Sequence, residues 1–569
     1  MNEKKGLFVS GDKQGLKLKQ REIKREIRKC KEHYKVKIQK CFSSGNMKDT
    51  WKGLKTAINY TPKPTSVPDS IESNDLNRFY CRFDHTLSSL SIEREKCRIE
   101  RAAEDDTSIE VSEEETQFIF SKVNERKAPG PDGIKGKILK ECSEQLSYIF
   151  TYIFNMSIQC TSIPCIWKTS KIIPVPKKDK IDSKNDLRPV ALTSIVMKSF
   201  ERLILYKIRD QFGPHADSHQ FAYRPNRSVE DAILLFTNNI YKHLDHPGRY
   251  CRLLFADFSS AFNTMQPELL VQKMSGLDMN NHIIAWVLEF LTNRVQYVQI
   301  GNDVSLNMTT NIGAPQGCVL SPVLFTIYTN DCRSQDPNVP LIKFADDTTL
   351  QGLITNGNEE GYRAEIDRFV SWCDNHHLEL NISKTRELVI DFRKVKEPIE
   401  PLRLKNQIVD QVPHYKYLGV TIDERLQWSE HVKTMKQKLS KRMYFLTKLR
   451  QFRIDRTLCT MFYRAVIESV IIFCIAAWGG NCLAVNKNEM NRVIRKAAKS
   501  TGDIGDFDEL LEKSTFRKIS AIIDDKSHPL YPSITISERS GRLISIRTKT
   551  ERHRMSFLPT GIRVFNTFR

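Results

Sequence analysis

The chain has 569 residues, 40% of them hydrophobic, which is too long for one core and too apolar for a disordered polymer. Lys and Arg number 88 against 68 Asp and Glu, a formal charge of +20 that favours a polyanionic partner, most simply nucleic acid. The 14 cysteines fall in no Cys-x-x-Cys or paired Cys/His pattern, which argues against structural zinc and suits free thiols in a reducing compartment. The charged N-terminus does not read as a signal peptide. The longest apolar run, 470–478, is too short to span a bilayer and reads as a buried helix segment.

In chain order, a basic helical segment comes first, over residues 1–60. Between 17 and 40 Lys and Arg are relieved only by Glu22, Glu26 and Glu32. Ile23, Ile27, Cys30, Tyr34, Ile38 and Cys41 mark one apolar stripe at spacings of three and four. Such a helix can grip nucleic acid, lie on a membrane or pack along one face. A proline-rich linker at 61–70 opens a region, 61–127, of linker and helices. It contains a short helix over 76–90, a weakly patterned acidic stretch over 93–110 expected to be exposed, and a capping box at Ser112-Glu113-Glu114-Glu115. The turn cluster Ala128-Pro129-Gly130-Pro131-Asp132-Gly133 follows.

Lys171-Ile172-Ile173-Pro174-Val175-Pro176 reads as an edge strand because of its prolines, and Lys177 and Lys178 close it. After a polar loop comes Leu187-Arg188-Pro189-Val190. Two hairpin arms tipped with Lys and Arg suit a polyphosphate, and equally a charged rim. Cys251 to Ala256 is a buried strand ending in Asp257, a position that also suits a helix cap. Gly313-Ala314-Pro315-Gln316-Gly317-Cys318 supplies a turn in which backbone can approach a ligand closely. Then Lys343-Phe344-Ala345-Asp346-Asp347-Thr348-Thr349-Leu350 sets two adjacent carboxylates in an apolar, β-branched run. On a straight strand they would point to opposite faces; at a hairpin tip both can reach one site. Like charges that close call for cations, and hard oxygen donors suit Mg²⁺; a solvated surface turn is the other reading.

The order of these pieces resembles the reverse transcriptases of non-LTR (LINE-type) retrotransposons, most closely the jockey-like branch. The likeness runs from the Ala128–Gly133 cluster to Tyr415-Lys416-Tyr417-Leu418-Gly419-Val420-Thr421-Ile422-Asp423. It implies an α+β right-hand polymerase: fingers and a palm with a small antiparallel sheet over 128–425, a helical thumb over 426–500 and a basic segment over 501–569. The implied activity is RNA-directed DNA polymerisation, a nucleotidyl transfer that extends a primer 3′-hydroxyl with dNTPs. Asp257, Asp346 and Asp347 would be the catalytic carboxylates. With the backbone carbonyl of Phe258 they would hold two Mg²⁺ ions, or Mn²⁺. The resemblance assigns Lys177 and Arg188 to the incoming triphosphate, with Lys178 or Lys171 as substitutes for Lys177. Gln316 and Gly317 would shape the nucleotide pocket, and Phe262 would exclude a ribose 2′-hydroxyl. Lys384, in Asn381-Ile382-Ser383-Lys384-Thr385, would sit near the leaving phosphates. Tyr417-Leu418-Gly419 matches the hairpin that grips the primer.

The family often carries Asp where this chain has Asn263, and its full-length proteins usually begin with an endonuclease that is expected to be missing here, leaving target cleavage unassigned. Beyond Asp423, Val432, Met435, Leu439, Leu446 and Leu449 keep a helical stripe, opposite Lys433, Lys436, Lys438, Lys441 and Arg442. The partners implied are an RNA template, a DNA primer or target and dNTPs across a basic cleft, with no membrane, in nucleus or cytoplasm. Two other readings stay open: a catalytically silent nucleic-acid-binding remnant, and an RNA-dependent RNA polymerase, which Phe262 disfavours.

Overall fold

The computed structural model describes residues 2–43, 51, 67–68, 70–84, 89–502 and 504–568. Helices and small sheets are mixed, and the chain divides into two units. One comprises Pro64–Ala232 and His246–Pro413; the other comprises Met1–Lys63, Ile233–Asp245 and His414–Arg569.

The first unit is built on two sheets. In the first, β1 (Ser170–Pro176) lies between β2 (Leu187–Leu192) and β4 (Arg294–Ile300), with β5 (Asp303–Val304) and β6 (Met308–Thr310) paired to β4. The second sheet has β3 (Arg249–Ala256) at its centre. On one side lie β8 (Asp347–Thr355) and β7 (Leu341–Phe344); on the other lie β9 (Arg386–Asp391) and β12 (Asp410–Gln411). A small hairpin, β10 (Arg403–Leu404) with β11 (Gln407–Ile408), precedes β12. Both ladders flanking β3 are antiparallel, and all of its side chains from Tyr250 to Ala256 are buried, on both faces.

The expected edge strand is a correction. Residues 170–172 of β1 pair in parallel with β4, so its first half is interior. Pro174 lies opposite Pro189 and Pro176 opposite Leu187, past the end of the β4 pairing. A pair in which both residues lack N–H fits only a position whose donors face away from the partner strand, and there the pairing with β4 has already ended.

Helices cover the second sheet with a core rich in rings. Phe154 stacks on Phe200 at 4.3 Å between centroids, and Trp286 meets Phe200 edge-on at 4.9 Å. Burying each such ring contributes about 1.5–3 kcal/mol. The acidic stretch expected to be exposed instead begins within a helix, Ser89–Ala103, that buries Ile92, Ile99 and Ala103. Its spacing of seven and then four carries one face inward. The helix anticipated over 76–90 is Ser73–Tyr80, and residues 85–88 lie outside the described chain. Most of the 61–70 linker lies outside it too. Ser112 and Glu115 form the full capping box at the helix Glu113–Ser121.

A buried charge in the second sheet lies within an apolar run. Arg252, on β3, is wholly buried. It forks onto both oxygens of Glu387 at 2.9 Å each and reaches Glu359 at 2.6 Å. Tyr362 and Tyr250 donate their hydroxyls to the same two carboxylates. The set ties β3 to β9 and to the region beyond β8 with nearly every charge paired.

The second unit is mainly helical. Its hairpin β13 (His414–Tyr417) and β14 (Val420–Asp423) turns at Leu418 and Gly419, both with positive φ. The helix Ser429–Gln451 buries Val432, Met435, Leu439, Leu446 and Leu449, leaving Lys433, Lys436, Lys438 and Lys441 exposed. The described part of the basic N-terminal segment forms two helices, Asn2–Val9 and Lys13–Ser43, and the stripe on the second is not sealed: Ile27 is 50% exposed and Cys30 is exposed. The side chains of Tyr34, Ile38 and Cys41 lie outside the described residues. The run Arg456–Trp478 is long and apolar enough to cross a membrane by length and composition. It is interrupted by a π turn at Tyr463–Glu468 and by Cys474 at φ 52°, and it buries Ile467, Ile471, Ile475 and Trp478. The C-terminal basic segment is also packed, burying Phe557, Leu558 and Ile562 of the helix Phe557–Phe568.

Replacing Arg252 with Leu strands the buried Glu387 and Glu359 without their cation. Denaturant unfolding is expected to show a loss of about 3–5 kcal/mol.

Candidate active site

The site lies where β3 and the β7–β8 hairpin end together. Phe344 pairs with Asp347, so the hairpin turns through two residues, Ala345 and Asp346. Ala345 takes φ 58°, a left-handed value that an L residue adopts only when its surroundings hold it there. In the neighbouring ladder Ala256 pairs with Thr348, which sets Asp257, one residue further on, level with Asp347. The adjacent carboxylates avoid divergence because Asp346 belongs to the turn and Asp347 to the strand.

Their electrostatics accord with that placement. The Asp347 carboxyl is pushed up to about 6, first by lost solvation and then by the charges of Asp346 and Asp257. Asp346 is raised by lost solvation, partly offset by its own backbone N–H and by Arg188. Asp257 is raised by lost solvation and by Asp346, against the pull of Lys384 and Lys177. Asp346 and Asp347 are open to solvent at their surfaces, yet protein packed around them removes much of the water that would stabilise charge. Oδ2 of Asp257 is buried and accepts no hydrogen bond. Asp257 caps no helix.

The segment after β3 is clasped by the 379–385 loop. Ser259 N–H donates to Glu379 O, Asn381 N–H to Asp257 O, and Asp257 N–H to the hydroxyl of Thr385. Phe258 bridges to Leu380. The loop brings Lys384 Nζ to 3.8 Å from Asp257 Oδ2. Lys177 N–H donates to Asp186 O, and its pKa is lowered by burial and by the neighbouring charges of Lys384 and Arg188. Arg188 lies opposite Val175 in the β1–β2 hairpin. Lys177, Arg188 and Lys384 therefore share the site with the carboxylates. Lys178 does not: it is paired with Asp182 and Asp186, each at 3.1 Å. Lys171 lies opposite Leu192, at the far end of the hairpin ladder.

The glycine-containing turn packs beneath. Ala314 N–H donates to Phe262 O, and Ala191 N–H to Gln316 O, both at 2.8 Å. Gln316 Nε2 reaches Asn263 Oδ1 at 3.5 Å. Gly317 has φ 118°, and a Cβ there would press on Ala191 O at 3.0 Å. Phe262 is half-buried, its ring 4.7 Å from that of Phe325. Among the described residues no three His, Cys, Asp or Glu side chains converge into a ready-made metal cage.

Two neighbours escaped sequence reasoning. Glu201 is fully buried and accepts the N–H groups of Val319 and Leu320, just past the Gln316-Gly317 turn. Burial pushes its carboxyl up to about 7. Its signal was an acid set on the buried face of the helix Ile195–Phe212, between Phe200 and Leu203. The phenol of Tyr223, at φ 61°, is raised first by burial and then by the charge of Asp346.

Residues 175–422 match the family described as reverse transcriptase (RNA-dependent DNA polymerase), so the chain carries a reverse transcriptase domain. More particularly, it is homologous to polymerases of the jockey, BS and X-element non-LTR retrotransposons. It is 26% identical to the probable RNA-directed DNA polymerase from transposon BS of Drosophila melanogaster, over 65% of this chain and 42% of the relative. Against that from transposon X-element of the same fly it is 25% identical, over 65% and 41%. Against the RNA-directed DNA polymerase from mobile element jockey, also from that fly, it is 23% identical, over 68% and 43%. The chain thus spans about two-fifths of the length of these curated relatives. Residues 428–469 also match the family described as alkylated DNA repair protein alkB homolog 8, N-terminal, a stretch that covers the helix Ser429–Gln451.

The raised Asp347 pKa has a definite sign. A carboxyl at about 6 in the fold against 3.8 when free binds protons more tightly folded, so its ionisation opposes folding as pH rises from about 4 to 6. Without divalent cations, Asp347→Asn is expected to melt higher than wild type at pH 7, the difference closing as pH falls below about 4.

Proposed function

We propose that this chain is an RNA-directed DNA polymerase of a mobile element, extending a DNA primer 3′-hydroxyl with dNTPs on an RNA template. The observation that carries the reading is the meeting of Asp257, Asp346 and Asp347 at one end of β3 and β8, ringed by Lys177, Arg188 and Lys384. The activity named for the relatives supports it. In this reading the β3-centred sheet is the palm, the β1–β2 hairpin belongs to the fingers, and the helix Ser429–Gln451 belongs to the thumb.

The residues fit divalent cations. Every donor is a hard oxygen, Asp257 Oδ2 is buried and accepts no hydrogen bond, and all three carboxyls resist ionisation, first for lost solvation. Asp257, Asp346 and Asp347, with the carbonyl of Phe258, would hold two Mg²⁺ or Mn²⁺ ions, which when bound supply Lewis-acid activation of the hydroxyl and charge for the departing pyrophosphate. Mg²⁺ commonly takes only one or two carboxylates and shares the rest with phosphate and water. A site without a ready cage is therefore one that the triphosphate completes.

The chain's own residues do the positioning. Arg188 presents a planar fork and Lys177 a point charge to the triphosphate. Lys384, beside Asp257, holds a proton near the leaving phosphates. Gln316 and Gly317 would bring backbone close to the nucleotide, and the Phe262 ring, backed by Phe325, would stand against a ribose 2′-hydroxyl. Exposed Lys433, Lys438 and Lys441 suit the phosphates of a duplex.

Given poly(rA)/oligo(dT), Mg²⁺ and dTTP, the protein is expected to extend the primer. Asp346→Asn is expected to lose on the order of a thousandfold in rate, about 4 kcal/mol of barrier. Binding without extension would mean a nucleic-acid-binding chain without catalysis, and preferential use of UTP an RNA polymerase. Phe262→Val is expected to raise UTP use relative to dTTP by on the order of tenfold, measured as the ratio of kcat/KM values.

A further inference from the structure

The turn that carries Asp346 is not held by its own hairpin alone. The segment 217–222 runs beside β7: Lys343 N–H donates to His219 O at 2.9 Å, and Phe221 N–H donates to Lys343 O at 3.0 Å. Gln220 and Lys343 form a parallel bridge. Below them Lys343 Nζ is buried and pairs with Asp217 at 2.9 Å while donating to the carbonyls of Thr329 and Cys332. This anchored segment places one side chain against the turn. Oε1 of Gln220 accepts two backbone N–H groups, from Ala222 and from Ala345, each at 3.1 Å. Ala345 is the residue at φ 58°, immediately before Asp346.

The amide is only 1% exposed, and its Nε2 has no hydrogen-bond partner. Reversing the amide would aim its NH₂ at two N–H donors, so the orientation is fixed by those donors. A buried donor left unmet is costly, and an apolar side chain of similar length would avoid that cost. The oxygen is what the position gains. It satisfies the N–H of the left-handed Ala345, which the ladder leaves unpaired, and it does so from outside the hairpin.

We propose that Gln220 is a positioning residue: its side-chain oxygen holds the left-handed Ala345 turn and thereby aims the Asp346 carboxylate into the site. The inference rests on the polymerase reading for its assay, but its content is geometric. Gln220 touches no substrate. Its loss shifts Asp346 relative to Asp257 and Asp347, weakening productive cation use, while leaving the β1–β2 hairpin and the helical unit unaltered.

The test compares full-length wild type with Gln220→Met, which matches the length without an acceptor, and Gln220→Glu, which keeps acceptor oxygens. Primer extension on poly(rA)/oligo(dT) is measured against dTTP and Mg²⁺ concentration, with template–primer affinity and thermal unfolding in parallel. Q220M is expected to lose about 10–100-fold in kcat, as losses behind metal ligands do. It should also need more Mg²⁺ for half-maximal rate, with KM for dTTP and template–primer affinity within about twofold of wild type. Q220E should recover most of the rate. A folded Q220M with wild-type kcat and Mg²⁺ dependence overturns the assignment, as does a Q220E no better than Q220M. If Q220M fails to fold, Q220E decides: a normal melt with a hundredfold lower kcat also overturns it. A wild type that extends no primer would instead sink the polymerase reading, and the two failures are distinct.

Discussion

Mutual repulsion among three carboxylates, crowded at one end of an antiparallel ladder and partly stripped of water, is the constraint on which the rest of this structure depends. A fold left to relax would turn them apart. Here the register of β3 with β8 sets Asp257 level with Asp347, and the two-residue turn after β7 sets Asp346 beside both. The charges are only partly met within the chain: Lys384 pairs with Asp257 at 3.8 Å, and Asp347 gains no cationic neighbour to offset Asp346 and Asp257. Free energy is thus stored as crowding that a cation and an anionic substrate can relieve.

Holding that arrangement takes a stiff frame. β3 is fixed along its length by two ladders and, at its middle, by the bidentate pairing of Arg252 with Glu387. A buried ion pair adds little net stability over an apolar core. It does fix register, because a slip of one residue would strand the charge. The clasp of the 379–385 loop on Asp257 and the buried Glu201 under the Val319 and Leu320 amides are the same device applied to other walls of the site.

Much of this was legible in the sequence because the informative residues violate local pattern. Asp346-Asp347 interrupts a β-branched run, Gly317 is a turn glycine with positive φ, and the stripe of Val432, Met435 and Leu439 keeps a helical period to the end. Less legible were features that depend on partners far along the chain. Arg252 looks like any charge in a strand until Glu387, 135 residues away, is brought opposite it. The prolines of β1 demoted it to an edge, since sequence shows which residues lack N–H but not where the next strand stops. The Ser89–Ala103 helix was obscured by its acids, although Ile92, Ile99 and Ala103 already lay on one face.

The central claim is that the three carboxylates form one cation site that a triphosphate completes. Thermal unfolding at pH 7.5 with Mg²⁺, with dTTP, and with both tests it most directly. The account predicts that Mg²⁺ and dTTP together raise the wild-type Tm by more than the sum of their separate effects, and that Asp257→Asn abolishes the excess. Equal excess stabilisation in wild type and Asp257→Asn would contradict it.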